Sequence, residues 1–259
     1  MVRFIVLGDV VGGAGFRAAI DHIPRLRAAH GPDLVVVNAE NAAAGIGTSP
    51  RQVDDLLAVG VDVITGGNHT LRRRELYPKL ANEPRLLRPA NIAPRAPGRG
   101  MTVVETPDGV PVAVINVMGA VFLEGAASPF EVIDDLVTDA RAKADLVLVD
   151  MHAEATSEKV ALAHHLDGRV TAVWGTHTHV QTADARLLAG GTAYVTDLGM
   201  TGPHDSVIGM RTEVILERFL TGAPGRFEAA DGGVLVQGAV IDADLDGRAT
   251  AITTFSLAP

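Results

Sequence analysis

Five places in this 259-residue chain put residues able to bind a metal ion directly after a short apolar run: Gly8-Asp9, Asn38-Ala39-Glu40-Asn41, Gly66-Gly67-Asn68-His69, Asp150-Met151-His152 and Gly175-Thr176-His177-Thr178-His179. The inventory is carboxylate, amide oxygen and imidazole, and the sequence has no cysteine. A thiolate nucleophile, a zinc finger and an iron–sulfur cluster are therefore excluded. If the clusters meet, Asp9, Glu40, Asn41, Asn68, His152, His177 and His179 are enough to hold two metal ions, with His69 beside them. A carboxylate has two oxygens, so Glu40 could bridge a pair of cations. His177 and His179, two residues apart, point to opposite sides of an extended chain and could serve different metals. Oxygen and nitrogen donors without sulfur suit Mn²⁺, iron or Zn²⁺ better than Cu⁺, and ligand type does not separate manganese from iron.

Taken singly, most of these clusters have a plainer reading. Asp9 can cap a turn, Glu40-Asn41 can open a loop, Asn68 tolerates the left-handed geometry of a turn, and His152 can be a satisfied core histidine. Gly-Thr-His-Thr-His is harder to explain that way, because two histidines leaving a buried strand have little packing role. The argument lies in recurrence: all five clusters occupy the same position relative to an element.

That element is a strand. Arg3–Leu7, Leu34–Val37, Val61–Thr65, Leu146–Val149 and Val170–Trp174 are apolar without alternation, the pattern of strands covered on both faces. Helices are predicted between them. Phe16–Ala29 has apolar residues at helical spacing around Pro24, and Arg51–Val59 opens with Ser49 as N-cap and Pro50 in the first turn. Pro129–Lys143 and Thr156–Leu166 follow. Strand–helix alternation implies right-handed crossovers and a largely parallel sheet, whose ligands sit beyond the carboxyl ends of the strands. Thr192–Thr196, Glu213–Leu220, Val234–Ile241 and Ala249–Phe255 read instead as strands pairing antiparallel, with a hairpin turn at Asp244–Gly247. A repeating parallel barrel would need helices there. The expectation is an α/β fold with mixed sheets in a single domain, residues 1–259, with Pro94–Gly100 as a surface loop.

Composition narrows the partners. With 22 basic and 31 acidic residues the net charge is −9, which disfavours duplex nucleic acid, whose binding needs many phosphate contacts. No apolar run reaches the ~18 residues of a membrane span; Val110–Leu123 is broken by Pro111, Asn116 and Gly119. A soluble, cytoplasmic protein is expected, with self-association into a homo-oligomer left open. His164-His165 lie mid-helix, where one is expected to face solvent, and His22 and His30 read as residues of a surface helix. Arg72-Arg73-Arg74 reads as a solvated face, although its place just after His69 could bring one guanidinium near an anion.

Through Gly8-Asp9, Gly67-Asn68-His69, His152 and Gly175–His179 the chain resembles the calcineurin-like metallophosphoesterases. Asn38–Asn41, His152–Lys159 and Thr196–Met210 make it similar to the YmdB-type branch in particular, over roughly residues 3–215. The resemblance implies a four-layer αββα sandwich. It also implies a first metal on Asp9, Glu40, Asn41 and His179, and a second on Glu40, Asn68, His152 and His177, with His69 as proton donor. Members of this branch look like phosphodiesterases of cyclic nucleotides, some of them 2′,3′-cyclic, that use iron or manganese. This chain departs from the wider pattern at Asp9-Val10-Val11, which lacks the imidazole of the usual Asp-x-His, and Asn41 is the replacement. Glu40 stands where most of the superfamily has Asp, and Leu71 and Arg72 stand where the branch is expected to carry an aromatic and an acid. Two competing readings are a metal-dependent regulatory nucleotide-binding protein with little turnover and a zinc amidohydrolase.

Overall fold

Unbroken β-branched runs build the centre of two sheets in the computed structural model, which describes residues 1–258. In the first sheet, β1 (Val2–Leu7) lies parallel to β3 (Leu34–Asn38), and β3 lies parallel to β4 (Val63–Thr65). On its other edge β1 pairs antiparallel with β12 (Val234–Ala243), and β12 with β13 (Ala249–Leu257). The short β2 (Asp9–Val10) and β11 (Met200–Pro203) pair parallel and extend this sheet through β12. The second sheet has the order β5-β6-β7-β8-β10-β9, from β5 (Met101–Glu105), β6 (Pro111–Met118), β7 (Leu146–His152), β8 (Ala172–Thr176), β9 (Arg186–Leu187) and β10 (Ala193–Val195). Its four middle strands are parallel.

The sheets face each other across one apolar layer. Phe4, Val6, Val36 and Val63 from the first meet Val114, Leu148, Trp174 and Val195 from the second. On the central parallel strands the opposite pleat is covered by helices, which is why these strands read as continuously apolar. On the first sheet, Ile5, Val35 and Val37 pack against α1 (Gly12–His30), α2 (Pro50–Ala58) and α3 (Tyr77–Asn82). On the second, Ile115, Val149 and Val173 pack against α4 (Ile133–Arg141) and α5 (Thr156–Leu166). The result is the expected four-layer αββα sandwich.

Local chemistry sets the helix ends. Ser49 and Gln52 form a reciprocal capping box at the start of α2, with Pro50 in the first turn. Gly31, at φ 56°, ends α1 in the left-handed conformation. Helix α1 begins at Gly12, four residues before the apolar spacing does, and His22 is buried with its Nδ1 3.0 Å from the Ala18 carbonyl oxygen rather than lying on the surface.

Two expectations for the last third are corrected. Glu213–Leu220 is helical, within α6 (Thr212–Thr221), and not a strand. Residues 192–196 supply β10, which lies in the second sheet, parallel to β8 and antiparallel only to the short β9, instead of beside β12 and β13. The β12–β13 hairpin does turn at Asp244–Gly247, where the Asp244 amide donates to the Arg248 carbonyl. Among the described residues, no helix is long and apolar enough to cross a membrane.

Candidate metal centre

The parallel strands of both sheets end at one rim, and the five clusters meet there. Asp9 lies in β2, Glu40 and Asn41 follow β3, Asn68 and His69 follow β4, His152 is the last residue of β7, and His177 and His179 follow β8. Glu40 is at the middle. Its Oε1 lies 3.3 Å from His152 Nε2 and 3.1 Å from His69 Nδ1, and accepts from Asn41 Nδ2 at 3.2 Å. The His69 amide donates to Glu40 Oε2 at 2.8 Å.

Two subgroups share that carboxylate. In one, His152 Nε2 is 3.0 Å from Asn68 Oδ1 and 3.1 Å from His177 Nδ1. The donor atoms of Glu40, His152 and His177 fall within 4.8 Å of one another. In the other, His179 Nε2 is 3.2 Å from Asn41 Nδ2 and 3.7 Å from Asp9 Oδ1. All eight sequence-predicted site residues thus converge. His69 Nδ1 also lies 2.7 Å from Asn41 Oδ1.

Secondary contacts fix the donors. His152 Nδ1 is 2.9 Å from Thr176 Oγ1, which donates to Asp150 Oδ1 at 2.8 Å, while Thr65 donates to the other Asp150 oxygen. His179 Nδ1 is 2.8 Å from the Ile208 carbonyl oxygen. In each case the contact turns Nε2 toward the cluster, as in metal sites where the second ring nitrogen sets the imidazole's orientation. His177 (φ 99°) and His179 (φ 65°) both adopt the left-handed region, uncommon for residues with a side chain and costing of order 1 kcal/mol or more each. The Asp197 carboxylate holds the loop between them by accepting from the Thr178 amide at 3.2 Å and hydroxyl at 2.8 Å. Lys159 Nζ, also buried, donates to the same Asp197 oxygen at 2.7 Å.

The electrostatics call for cations. Asp9 and Glu40 are almost completely buried. Burial raises the Asp9 carboxyl despite His179 and His152, and its Oδ1 is buried without a hydrogen-bond partner among the described residues. Such an atom costs free energy unless something positive fills the gap. Burial also acts to raise Glu40, but His152 and His69 outweigh it and hold the group well below the ordinary carboxylate range. For His152, burial disfavours the charged ring, yet Glu40, Asp9 and Asp150 push it up to about 9. His177 is lowered to about 3 by burial and by the neighbouring His152. Gly67 shows how tightly the space is reserved, since a Cβ there would sit 2.2 Å from His152 Nε2 and 2.3 Å from Glu40 Oε2. Buried carboxylates, an orphaned oxygen and converging imidazoles fit hard or borderline metal ions.

A cavity of about 870 Å³ opens beside the cluster. Asn41, His69, His177 and His179 line it together with apolar Ile46, Ile208, Met210 and Phe227, and the charged groups Arg72 and Glu154. Sequence reasoning missed Glu154, whose Oε2 lies 3.1 Å from His177 Nε2; its one signal is its place two residues beyond His152. It also gave no role to the apolar wall, although Ile208 and Met210 lie at the end of the Thr196–Met210 stretch.

Four layers with this donor cluster at the shared rim define a metallophosphoesterase, a class of hydrolases acting on phosphoric ester bonds. The YmdB-like protein family matches residues 5–255, and the chain belongs to that family. The chain is 44% identical over 243 residues to the 2′,3′-cyclic-nucleotide 2′-phosphodiesterase of Bacillus subtilis (strain 168), an alignment covering 94% of this chain and 92% of that one. The crystal structure of a hypothetical protein from Thermus thermophilus superposes with a TM-score of 0.93 at 43% identity, covering 99% of each chain. That of a Mycoplasma pneumoniae phosphatase gives 0.92 at 35% identity, covering 99% of this chain and 93% of the other.

Proposed function

We propose that this chain is a phosphodiesterase for small cyclic nucleotides that works with two metal ions, iron or manganese. Asp9, Glu40, Asn41 and His179 would hold one, and Glu40, Asn68, His152 and His177 the other. The observation that carries this reading is the pair of contact groups sharing Glu40, one of them containing the unpartnered Asp9 oxygen. When bound, such ions supply charge stabilisation at the phosphate and an acidified water, the two things phosphodiester hydrolysis needs most. A relative that acts on 2′,3′-cyclic nucleotides supports that substrate class.

The chain's own residues do the rest. The His152–Thr176–Asp150 series fixes one imidazole, and the Ile208 carbonyl fixes another. Preset donors need no reorganisation during reaction, where electrostatic stabilisation contributes most. With Nδ1 against Asn41 Oδ1 and Glu40 Oε1, His69 keeps Nε2 for the departing ribose oxygen. Proton delivery from there is worth about 10²–10⁴ in rate. The apolar side of the cavity would take the base.

Purified protein should turn over a 2′,3′-cyclic nucleotide many times, losing activity on chelation and in Asp9→Asn. His69→Ala should lower turnover about 10²-fold or more at full metal content. Metal-independent turnover would refute the reading. Binding without turnover would favour a regulatory nucleotide-binding protein.

A further inference from the structure

The run Arg72-Arg73-Arg74 splits into three environments. Arg73 is committed to the backbone, its Nε donating to the Ile46 carbonyl at 3.1 Å and its Nη2 to the Ala43 carbonyl at 3.0 Å. Arg74 begins the 3₁₀ turn Arg74–Leu76 and is exposed. Arg72 is one turn beyond His69, whose carbonyl accepts from the Arg72 amide at 2.9 Å, and its side chain lines the catalytic cavity. It has no carboxylate partner among the described residues. The other charged lining group outside the cluster, Glu154, is taken up by His177. A chain of net charge −9 thus presents one uncompensated guanidinium to its own active cavity.

Its position argues against a role at the scissile phosphate. The groups proposed to act there are buried or half-buried, whereas Arg72 is exposed, on the solvent side of an open cavity. That cavity, at about 870 Å³, is near the upper end of the ~300–1,000 Å³ usual for small-molecule sites. Phe227, partly exposed on its lining with the Arg218 guanidinium over its ring, adds apolar surface against which a base can pack. A planar guanidinium suits bidentate contact with phosphate oxygens.

We propose that Arg72 forms a second-phosphate subsite, so that the preferred substrate carries a phosphate beyond the cyclic one. That phosphate is either the 5′-monoester of a mononucleotide or the adjoining diester of an oligonucleotide end. The inference rests on the phosphodiesterase reading only for what occupies the first position.

The test is calorimetric titration of the manganese-loaded protein with three ligands: a nucleoside 3′-phosphate, the matching 3′,5′-bisphosphate, and a dinucleotide ending in a 3′-phosphate. A charge-assisted contact makes the ligands with an added phosphate bind about tenfold tighter than the monophosphate. Arg72→Gln should bring the ratio to about one, and Arg72→Lys should restore part of it. Preference for the bisphosphate alone identifies a terminal monoester, and preference for both identifies tolerance of the diester. Equal binding of all three by the unaltered protein, no measurable binding of any, or a ratio unchanged in Arg72→Gln overturns the subsite. Failure to hydrolyse 2′,3′-cyclic nucleotides with the Arg72-dependent ratio intact would refute the functional reading and leave the subsite standing. Turnover without the ratio would do the reverse.

Discussion

His152 and His177 approach within 3.1 Å; the surrounding carboxylates favour a proton on His152, while burial and the neighbouring His152 disfavour one on His177. Without metal that proton belongs to His152, whose folded-state value of about 9 exceeds the ordinary 6.5. The resulting stabilisation is fully present below pH 6.5 and is lost as pH rises through 9. Chelated protein should therefore melt at progressively lower temperature from pH 6.5 to 9. Metal binding must expel the same proton, so affinity should rise about tenfold per pH unit over that range. Release of metal on acidification, expected below about 6.5 for ordinary imidazoles, accordingly begins higher. A melting temperature of the chelated protein that climbs toward pH 9 would contradict the assignment. Gly67→Ala gives a steric test of the same centre: its methyl would intrude on His152 and Glu40, and equilibrium dialysis should show metal binding lost while far-ultraviolet circular dichroism is kept.

The loop after β8 depends on a buried ion pair as well as on its own sequence. Lys159, on α5, and Asp197 are both essentially inaccessible, and Asp197 ties down Thr178 between the two left-handed histidines. Removing one partner of such a pair leaves a buried charge and costs about 3–5 kcal/mol. Lys159→Met should lower denaturant stability by that order and reduce metal occupancy, although Lys159 touches no proposed ligand; unchanged stability and occupancy would remove it from the support of the loop. The strands that carry the site were legible because both of their faces are covered, which leaves an uninterrupted apolar signature. Residues at their carboxyl ends could therefore be placed before any contact was known. Helix α6 was not legible: Leu216, Phe219 and Leu220 are exposed, so its apolar residues do not mark a buried stripe and Val214-Ile215-Leu216 reads as strand. β6 was hidden differently, since its apolar run was weighed only as a membrane span. Glu154 and the wall residues Ile208, Met210 and Phe227 come from loops, where no periodicity announces them, and Ile208 also acts through its carbonyl.

At the scale of the molecule, the two sheets contribute to one apolar layer, and the proposed metal ligands are divided between them. Neither sheet can hold the proposed pair of ions alone. Residues 1–259 are accordingly expected to unfold as one domain. Trp174, buried in the second sheet, should report the same urea midpoint by fluorescence as circular dichroism reports for the whole chain, and separated midpoints would show that the sheets open independently. Loading with metal should move both probes upward together, because a ligand bound only by the folded state stabilises it by mass action.

Anomalous diffraction from crystals grown with Mn²⁺ bears most directly on the central claim. Two peaks should appear at the rim with the Glu40 carboxylate between them, one beside Asp9 and His179 and the other beside Asn68, His152 and His177. Absence of both peaks from this cluster in crystals of protein that hydrolyses phosphodiesters, or their appearance on other residues, would contradict it.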